Sequence, residues 1–268
     1  MNRFLMLDNQ YFFDSNGVVT INQYSDVPDR DAILFIGRHY YSVNDKNFIK
    51  RFFPIIAFKP FNYIIILGKG DCMIDKDIDI PNNVKNIYAN NVNYSHPKIK
   101  FLPMGSDFRS IYSFSKAKIE NKDRDILCYC NFSLNTHSDR EEVFKILKDN
   151  SDIFFENMGT FLNYSITKDK FFERLGNSKF VICPRGNAID TFRFYDTIYA
   201  GAIPITVKEP FHNEYFFEDL PVLYLNSIDE FSLINKEFLN EKYELLKPKL
   251  KTYYKNLDFQ VWINNLKI

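Results

Sequence analysis

Four cysteines in 268 residues, Cys72, Cys128, Cys130 and Cys183, include no Cys-x-x-Cys pair. Neither a disulfide framework nor a zinc site is expected, and reduced thiols suit a cytoplasmic chain. Charge of one sign is not in excess, since 34 Lys and Arg balance 34 Asp and Glu. That balance argues against a general nucleic-acid-binding role. Long apolar runs are missing as well. The longest, about Phe52–Phe58, is closed off by Arg51 and Lys59, far short of the ~20 residues that cross a bilayer. The opening MNRFLMLDNQ breaks at Asp8, too early for a signal peptide. Tryptophan occurs once, whereas Phe (28) and Tyr (17) are abundant, so core packing is the default reading of any single aromatic. There is no internal repeat and no low-complexity tract.

The length suits one large domain or two compact ones. Ala32–Gly37 and Tyr63–Gly68 are apolar without interruption, as strands buried on both faces of a parallel sheet are. Phe101–Met104 reads as a shorter strand. Ser113–Arg124 is polar and mixed in charge and marks a domain junction. Beyond it Ile126–Phe132 reads as a strand, and Ser138 with Glu141 as a capping box opening a helix with Val143, Ile146 and Leu147 inward. Ile153–Glu156 and Pro221–Leu225 are further strands. Thr167 caps a helix closed by Gly176, and Ser227 with Glu230 repeats the capping-box pattern. From Asn235 the tail is charged and helical, interrupted at Pro248, with Tyr253, Leu257 and Trp262 as anchors. Strand–helix alternation in both halves predicts two α/β layers with parallel sheets. The expected boundaries are 1–120, 121–240 and a helical tail over 241–268. Ligands of such sheets lie beyond the carboxyl ends of strands.

The richest segment is KFVICPRGNAIDTFRFYDTIYAGAIPI, from Lys179 to Ile205. It reads as strand Lys179–Cys183, a turn through Arg185, Gly186 and Asn187, a helix capped by Asp190, and a second strand, Ala202–Val207. The helix packs Phe192, Tyr195, Ile198 and Tyr199 inward and ends at Gly201. A helix N-terminus behind a turn offers free N–H groups and a positive dipole end, which favours an anion. Arg185 and Arg193 add guanidinium forks suited to phosphate oxygens. The plain alternative for Asp190 and Arg193 is a cap and a surface ion pair. Asp196, one turn on, either accepts hydrogen bonds from ribose hydroxyls or is an ordinary helix residue.

Other strand ends carry candidates. After Ile126–Phe132, Thr136 and Ser138 begin a helix from which His137 and Arg140 project, either a second anion site or ordinary capping with a solvated arginine. Arg38-His39 follows one strand of the first half, and Lys69-Gly70-Asp71 the other. A general base belongs at such a position, so His39 and Asp71 are its candidates, ahead of His96 and Asp107. Asp75, Asp77 and Asp79 alternate in IDKDIDI and could hold a divalent metal on a diphosphate, but a solvated strand edge fits them better.

CPRGNAIDTFRFYDTIYAGAIPI (Cys183–Ile205) resembles the signature of the exostosin-like glycosyltransferases, especially their short soluble bacterial and viral relatives: Cys-Pro-Arg-Gly, then Asp-Thr, an Arg, an acidic residue and Ala-Gly-x-Ile-Pro. Fainter echoes occur in order at Leu67–Asp71, Tyr88–Val92, Leu102–Gly105 and Asn131–Arg140. The resemblance implies a GT-B architecture, with two Rossmann-like domains facing a cleft. It implies that the first domain takes the acceptor and the second the nucleotide sugar. It also implies transfer with inversion from a UDP- or GDP-sugar by a hexosyl- or pentosyltransferase, with no essential metal or cofactor. Arg185 and Arg193 match diphosphate-contacting positions. Asp196 matches the acidic position near the ribose, where Glu is more usual. Gly186, Asn187, Asp190, Thr191, Arg140 and Thr136 complete the expected donor site. The expected acceptor is a glycan or lipid-linked glycan of surface polysaccharide synthesis, met by a cytoplasmic protein at the inner face of the membrane. The rival reading is a non-catalytic subunit that binds nucleotide sugar or glycan in a glycan-assembly complex. A third is a metal-dependent transferase using Asp75 and Asp77.

Overall fold

In the computed structural model, described over residues 17–37, 48–68, 74, 78–106, 124–156, 166–214 and 217–251, the apolar runs form two separate parallel sheets. His39, Asp71, Asp75, Asp77, Asp107, Cys72, Tyr253, Leu257 and Trp262 lie outside the described residues. The chain divides between Met104 and Gly105 into two compact units.

The first unit contains β1 (Val18–Thr20), β2 (Ala32–Ile36), α1 (Phe48–Ala57), β3 (Tyr63–Leu67), β4 (Val84–Ala89) and β5 (Ile99–Phe101). Its strands pair in chain order, all parallel. Every residue of β3 is buried, as a central parallel strand covered on both faces must be. Leu34, Ile36, Ile65, Leu67, Ile87 and Ala89, spaced by two, form one face, and α1 fills it with Ile49, Phe52, Phe53 and Ile56. Burying each such side chain contributes about 2 kcal/mol. The short strand expected at Phe101–Met104 lies earlier, at Ile99–Phe101. There the burial pattern alternates around Lys100, a weaker signal than a continuous apolar run. Strand β4 was not legible for a related reason, since Lys85 and Asn86 interrupt its apolar residues; β1 is only three residues long, and α1 carries Pro54 inside its apolar run.

The second unit contains β6 (Ile126–Cys130), α2 (Ser138–Leu147), β7 (Ile153–Phe155), α3 (Lys168–Asn177), β8 (Ser178–Ile182), α4 (Phe192–Tyr199), β9 (Ile203–Val207), β10 (Leu223–Leu225) and α5 (Lys236–Leu246). Its sheet runs β10-β9-β8-β6-β7, all parallel. Alternate residues serve opposite faces. Cys128, Cys130, Phe180, Ile182, Ile203 and Ile205 pack with Val143 and Leu147 of α2 and Leu239 of α5. Tyr129, Val181 and Cys183 pack with Phe172 and Leu175 of α3. With helices on both faces, the unit is doubly wound. The three described cysteines are buried and free.

Helix ends correct several expectations. The N-cap of α2 is His137, whose Nδ1 accepts from Asp139 N at 3.3 Å, one residue before the predicted Ser138. An imidazole nitrogen does the work of the expected hydroxyl. Thr167 caps α3 as predicted, its Oγ1 accepting from Lys170 N at 3.3 Å. That helix runs one residue past Gly176 to Asn177. The second predicted capping box does not open an α-helix. Glu230 instead receives the Asn226 backbone N–H at 2.8 Å, and a 3-10 turn covers Ile228–Leu233. Asn235 caps α5 by accepting from Phe238 N at 2.9 Å.

Candidate donor-binding site

The strand order of the second unit fixes where a ligand fits. Numbered within the unit, its strands lie in the order 2-1-3-4-5, so the connections diverge between β6 and β8. The crevice beyond the carboxyl ends of those two strands is the topological switch point, where open α/β sheets bind ligands. Two loops meet there, 131–137 after β6 and 183–191 after β8.

Arg140 joins them. Its Nε donates to Arg185 O at 2.7 Å and its Nη1 to Ser133 O at 3.1 Å. The side chain is 9% exposed, so the solvated-arginine alternative is excluded. Burial, and then the charge of Arg193, push its guanidinium down to about 10; it remains a cation at neutral pH. Gly186 leaves room for this contact. A Cβ there would lie 3.0 Å from Arg140 Nη2 and 3.8 Å from Thr136 Oγ1. Thr136 thus belongs to the same site, its hydroxyl turned to Ser133 O at 3.4 Å. Asn187 is exposed at the tip of the loop.

Arg193 stands in the first turn of α4, its guanidinium 5.0 Å from the ring centre of Phe171. Its charge acts on Arg140, Cys130 and Cys183. Burial pushes the Cys183 thiol up to about 11, with Arg193 opposing, so this cysteine is a packing residue rather than a nucleophile. Two guanidinium nitrogens, Arg185 Nε and Arg193 Nη1, are buried without a hydrogen-bond partner. Leaving a buried charged donor unpaired costs on the order of 1–3 kcal/mol or more, and buried polar groups are nearly always paired. Both donors are suited to an anion.

Asp190 does not cap α4. The helix starts two residues later, with Thr191 as an N-cap whose side chain makes no capping bond. The Asp190 carboxylate, 2% exposed, accepts from Thr191 N at 3.0 Å and from Tyr195 Oη at 2.8 Å. An Asp two residues before the first helical turn meets its own neighbour's N–H instead of the turn. Phe194 N donates to Thr191 O at 3.1 Å, but no side chain caps the start of α4, so the N–H groups of Phe192 and Arg193 and the positive dipole end remain to attract an anion. Asp196 is on α4 and 6% exposed. Thr197 Oγ1 donates to Arg193 O at 2.8 Å, tying the first turn of the helix to the second.

Two contributors escaped sequence reading. Glu209 follows β9 and is half-buried. Burial raises its carboxyl, while the Arg185 charge pulls it down. Its place directly after an apolar strand was the available signal. Arg124, read as part of a polar junction, donates from Nη1 to Gly176 O at 2.7 Å and Ser178 O at 2.9 Å, and from Nη2 to Ala200 O at 2.8 Å. It fixes the end of α4 against the start of β8. No sequence pattern marks such a staple.

Two α/β units, each built on a five-stranded parallel sheet, the second of them doubly wound, make up a GT-B-type fold. Residues 108–214 match the family model of the RXYLT1 C-terminal domain. That segment contains β6 to β9, the two site loops with α2 and α4, and Cys183–Ile205. Among solved structures, one described as the OtsA apo structure has a TM-score of 0.52 and 8% identity, covering 91% of this chain and 75% of that one. One described as an alpha1,3-fucosyltransferase has a TM-score of 0.47 and 12% identity, covering 94% and 92%. No curated protein sequence matches the chain. Among the described residues no helix is long and apolar enough to cross a membrane.

Proposed function

We propose that the chain is a glycosyltransferase whose second unit binds a nucleoside-diphosphate sugar at the β6/β8 switch point. The observation that carries this reading is the pair of buried, unpartnered guanidinium nitrogens on Arg185 and Arg193 beside the uncapped start of α4. In the transfer, the bond between the anomeric carbon and the phosphate oxygen breaks, and the acceptor hydroxyl oxygen bonds to that carbon. Negative charge grows on the leaving diphosphate, where fixed guanidinium and N–H donors stabilise it most. Arg185 and Arg193 take that charge, and Arg140 holds the loop that presents Arg185. Such a donor set can serve in place of a metal ion, so transfer proceeds without one. An inverting displacement needs one base for the acceptor proton; we assign it to His39 or Asp71, with the acceptor on the first unit.

A panel of UDP-, GDP- and CMP-sugars, followed by thermal unfolding and then by turnover with a glycan acceptor, tests the reading. A bound donor raises the unfolding temperature, and Arg185→Ala and Arg193→Ala each lower turnover about a hundredfold or more while the fold persists. Unchanged rates in both variants remove the site assignment. Donor binding without turnover on any acceptor favours a non-catalytic binding subunit. Loss of turnover in EDTA removes the metal-independent mechanism.

A further inference from the structure

The loop after β9 carries a carboxylate that the transfer chemistry leaves unused. Strands β8 and β9 pair in parallel through Ile182 and Ile205, and Cys183 N donates to Ile205 O at 2.9 Å. The loops leaving them, one with Arg185 and one with Glu209, emerge from neighbouring strands at the carboxyl end of the sheet. Glu209 is held there firmly. Its backbone N–H donates to His212 Nδ1 at 2.9 Å, and His212 is itself buried against Phe194, Phe211, Phe217 and Tyr224. The Glu209 side chain faces the His212 backbone N–H as the other half of this capping box and stays half-open to solvent, which leaves acceptor positions on the carboxylate for a second partner. Its charge environment includes Arg185, Asp139 and His137.

A carboxylate next to an anion site repels a bare phosphate. It is useful only if the ligand offers hydroxyl donors beside its own anionic group. We propose that Glu209 accepts hydrogen bonds from ligand hydroxyls while Arg185 holds the adjoining phosphate. The site then selects a phosphorylated polyol, such as the ribose diphosphate of a nucleotide, over a bare polyphosphate. The inference rests on the donor-site reading above and adds its selectivity: attraction at Arg185 and exclusion at Glu209 act together. Asp196, the carboxylate to which sequence pointed for the ribose, is 6% exposed, whereas Glu209 is half-buried.

Calorimetric titration of the full chain with UDP, GDP, their dideoxyribose analogues and pyrophosphate tests this. The wild-type protein prefers the ribose diol over the dideoxy form by about tenfold to a hundredfold, the range of hydrogen bonds to a charged acceptor. In Glu209→Ala the preference falls towards one and pyrophosphate binds more tightly; Glu209→Gln, neutral but still an acceptor, tightens pyrophosphate to the same extent and keeps part of the diol preference. Thermal unfolding of the unliganded variants verifies that they fold. A wild-type diol preference that survives in both Glu209 variants, or that Asp196→Asn abolishes while they do not, overturns the inference and leaves the donor site standing. A wild-type protein that binds no nucleotide overturns both.

Discussion

Arg140 Nε donates a 2.7 Å hydrogen bond to the carbonyl oxygen of Arg185. One cation thereby orients the backbone that presents another, and the same guanidinium reaches Ser133 O across the crevice. A lysine keeps the charge but cannot span both carbonyls with a fixed planar fork. Arg140→Lys is therefore expected to lower stability by about 1–3 kcal/mol and to weaken nucleotide binding, even though the net charge is unchanged. Urea unfolding and calorimetry on the same preparation check this. Wild-type values in both would show that only the charge at Arg140 matters.

Gly201 ends α4 in the left-handed region, with φ +68, and a Cβ there would come within 2.7 Å of Arg124 Nη2. Gly201→Ala must distort the backbone and displace a guanidinium that holds three segments together. The expected loss is about 2–4 kcal/mol, combining the left-handed penalty with broken hydrogen bonds. Chemical denaturation measures it. Arg124→Ala should recover part of the Gly201→Ala penalty in the double variant, because the clash is gone; strict additivity of the two losses would count against this contact.

The parallel strands were legible where burial on both faces made the sequence apolar without interruption, as in Tyr63–Leu67 and Ile126–Cys130. They were not where polar residues share the strand, as in Val84–Ala89 with Lys85 and Asn86. In the site, Arg185, Gly186 and Arg193 were readable because a strand end, a turn and a helix start are adjacent in sequence. The union of Thr136 and Arg140 with them depends on β6 lying next to β8, a long-range fact that no local pattern encodes. Asp190 shows the opposite failure. Its sequence position fits a cap, but Tyr195 Oη and Thr191 N take the carboxylate.

Glu156 receives Tyr129 Oη at 2.9 Å and Arg174 Nε at 3.4 Å, with Lys170 Nζ at 3.4 Å. Burial pushes its carboxyl up, but these partners outweigh burial and hold it below the ordinary 4.5. A depressed carboxyl contributes stability that is full above the unfolded value and is lost as pH falls through the folded one. Glu156→Gln should cost about 1–2 kcal/mol near neutral pH. The gap from wild type should close below about pH 4. A gap that stays constant into acid would mean that the pair's charge contributes nothing.

His212 shifts in the other chemical sense. Burial, aided by Lys208, pushes its imidazole down to about 3, so the native state holds it neutral. Its Nδ1 accepts from Glu209 N, a bond that protonation would abolish. The unfolded chain binds a proton below the ordinary 6.5 while the native chain does not. Stability from this group is therefore full above that value and declines as pH falls towards about 3, by up to roughly 1.4 kcal/mol per unit. His212→Asn retains an acceptor for Glu209 N but does not titrate. It should be less stable than wild type at neutral pH because ring packing is lost. The difference should shrink by about 2 kcal/mol between about pH 7 and about pH 5. Urea unfolding at the two pH values reads this directly, and an unchanged difference would show that the imidazole takes up its proton in the folded protein as easily as in the unfolded chain.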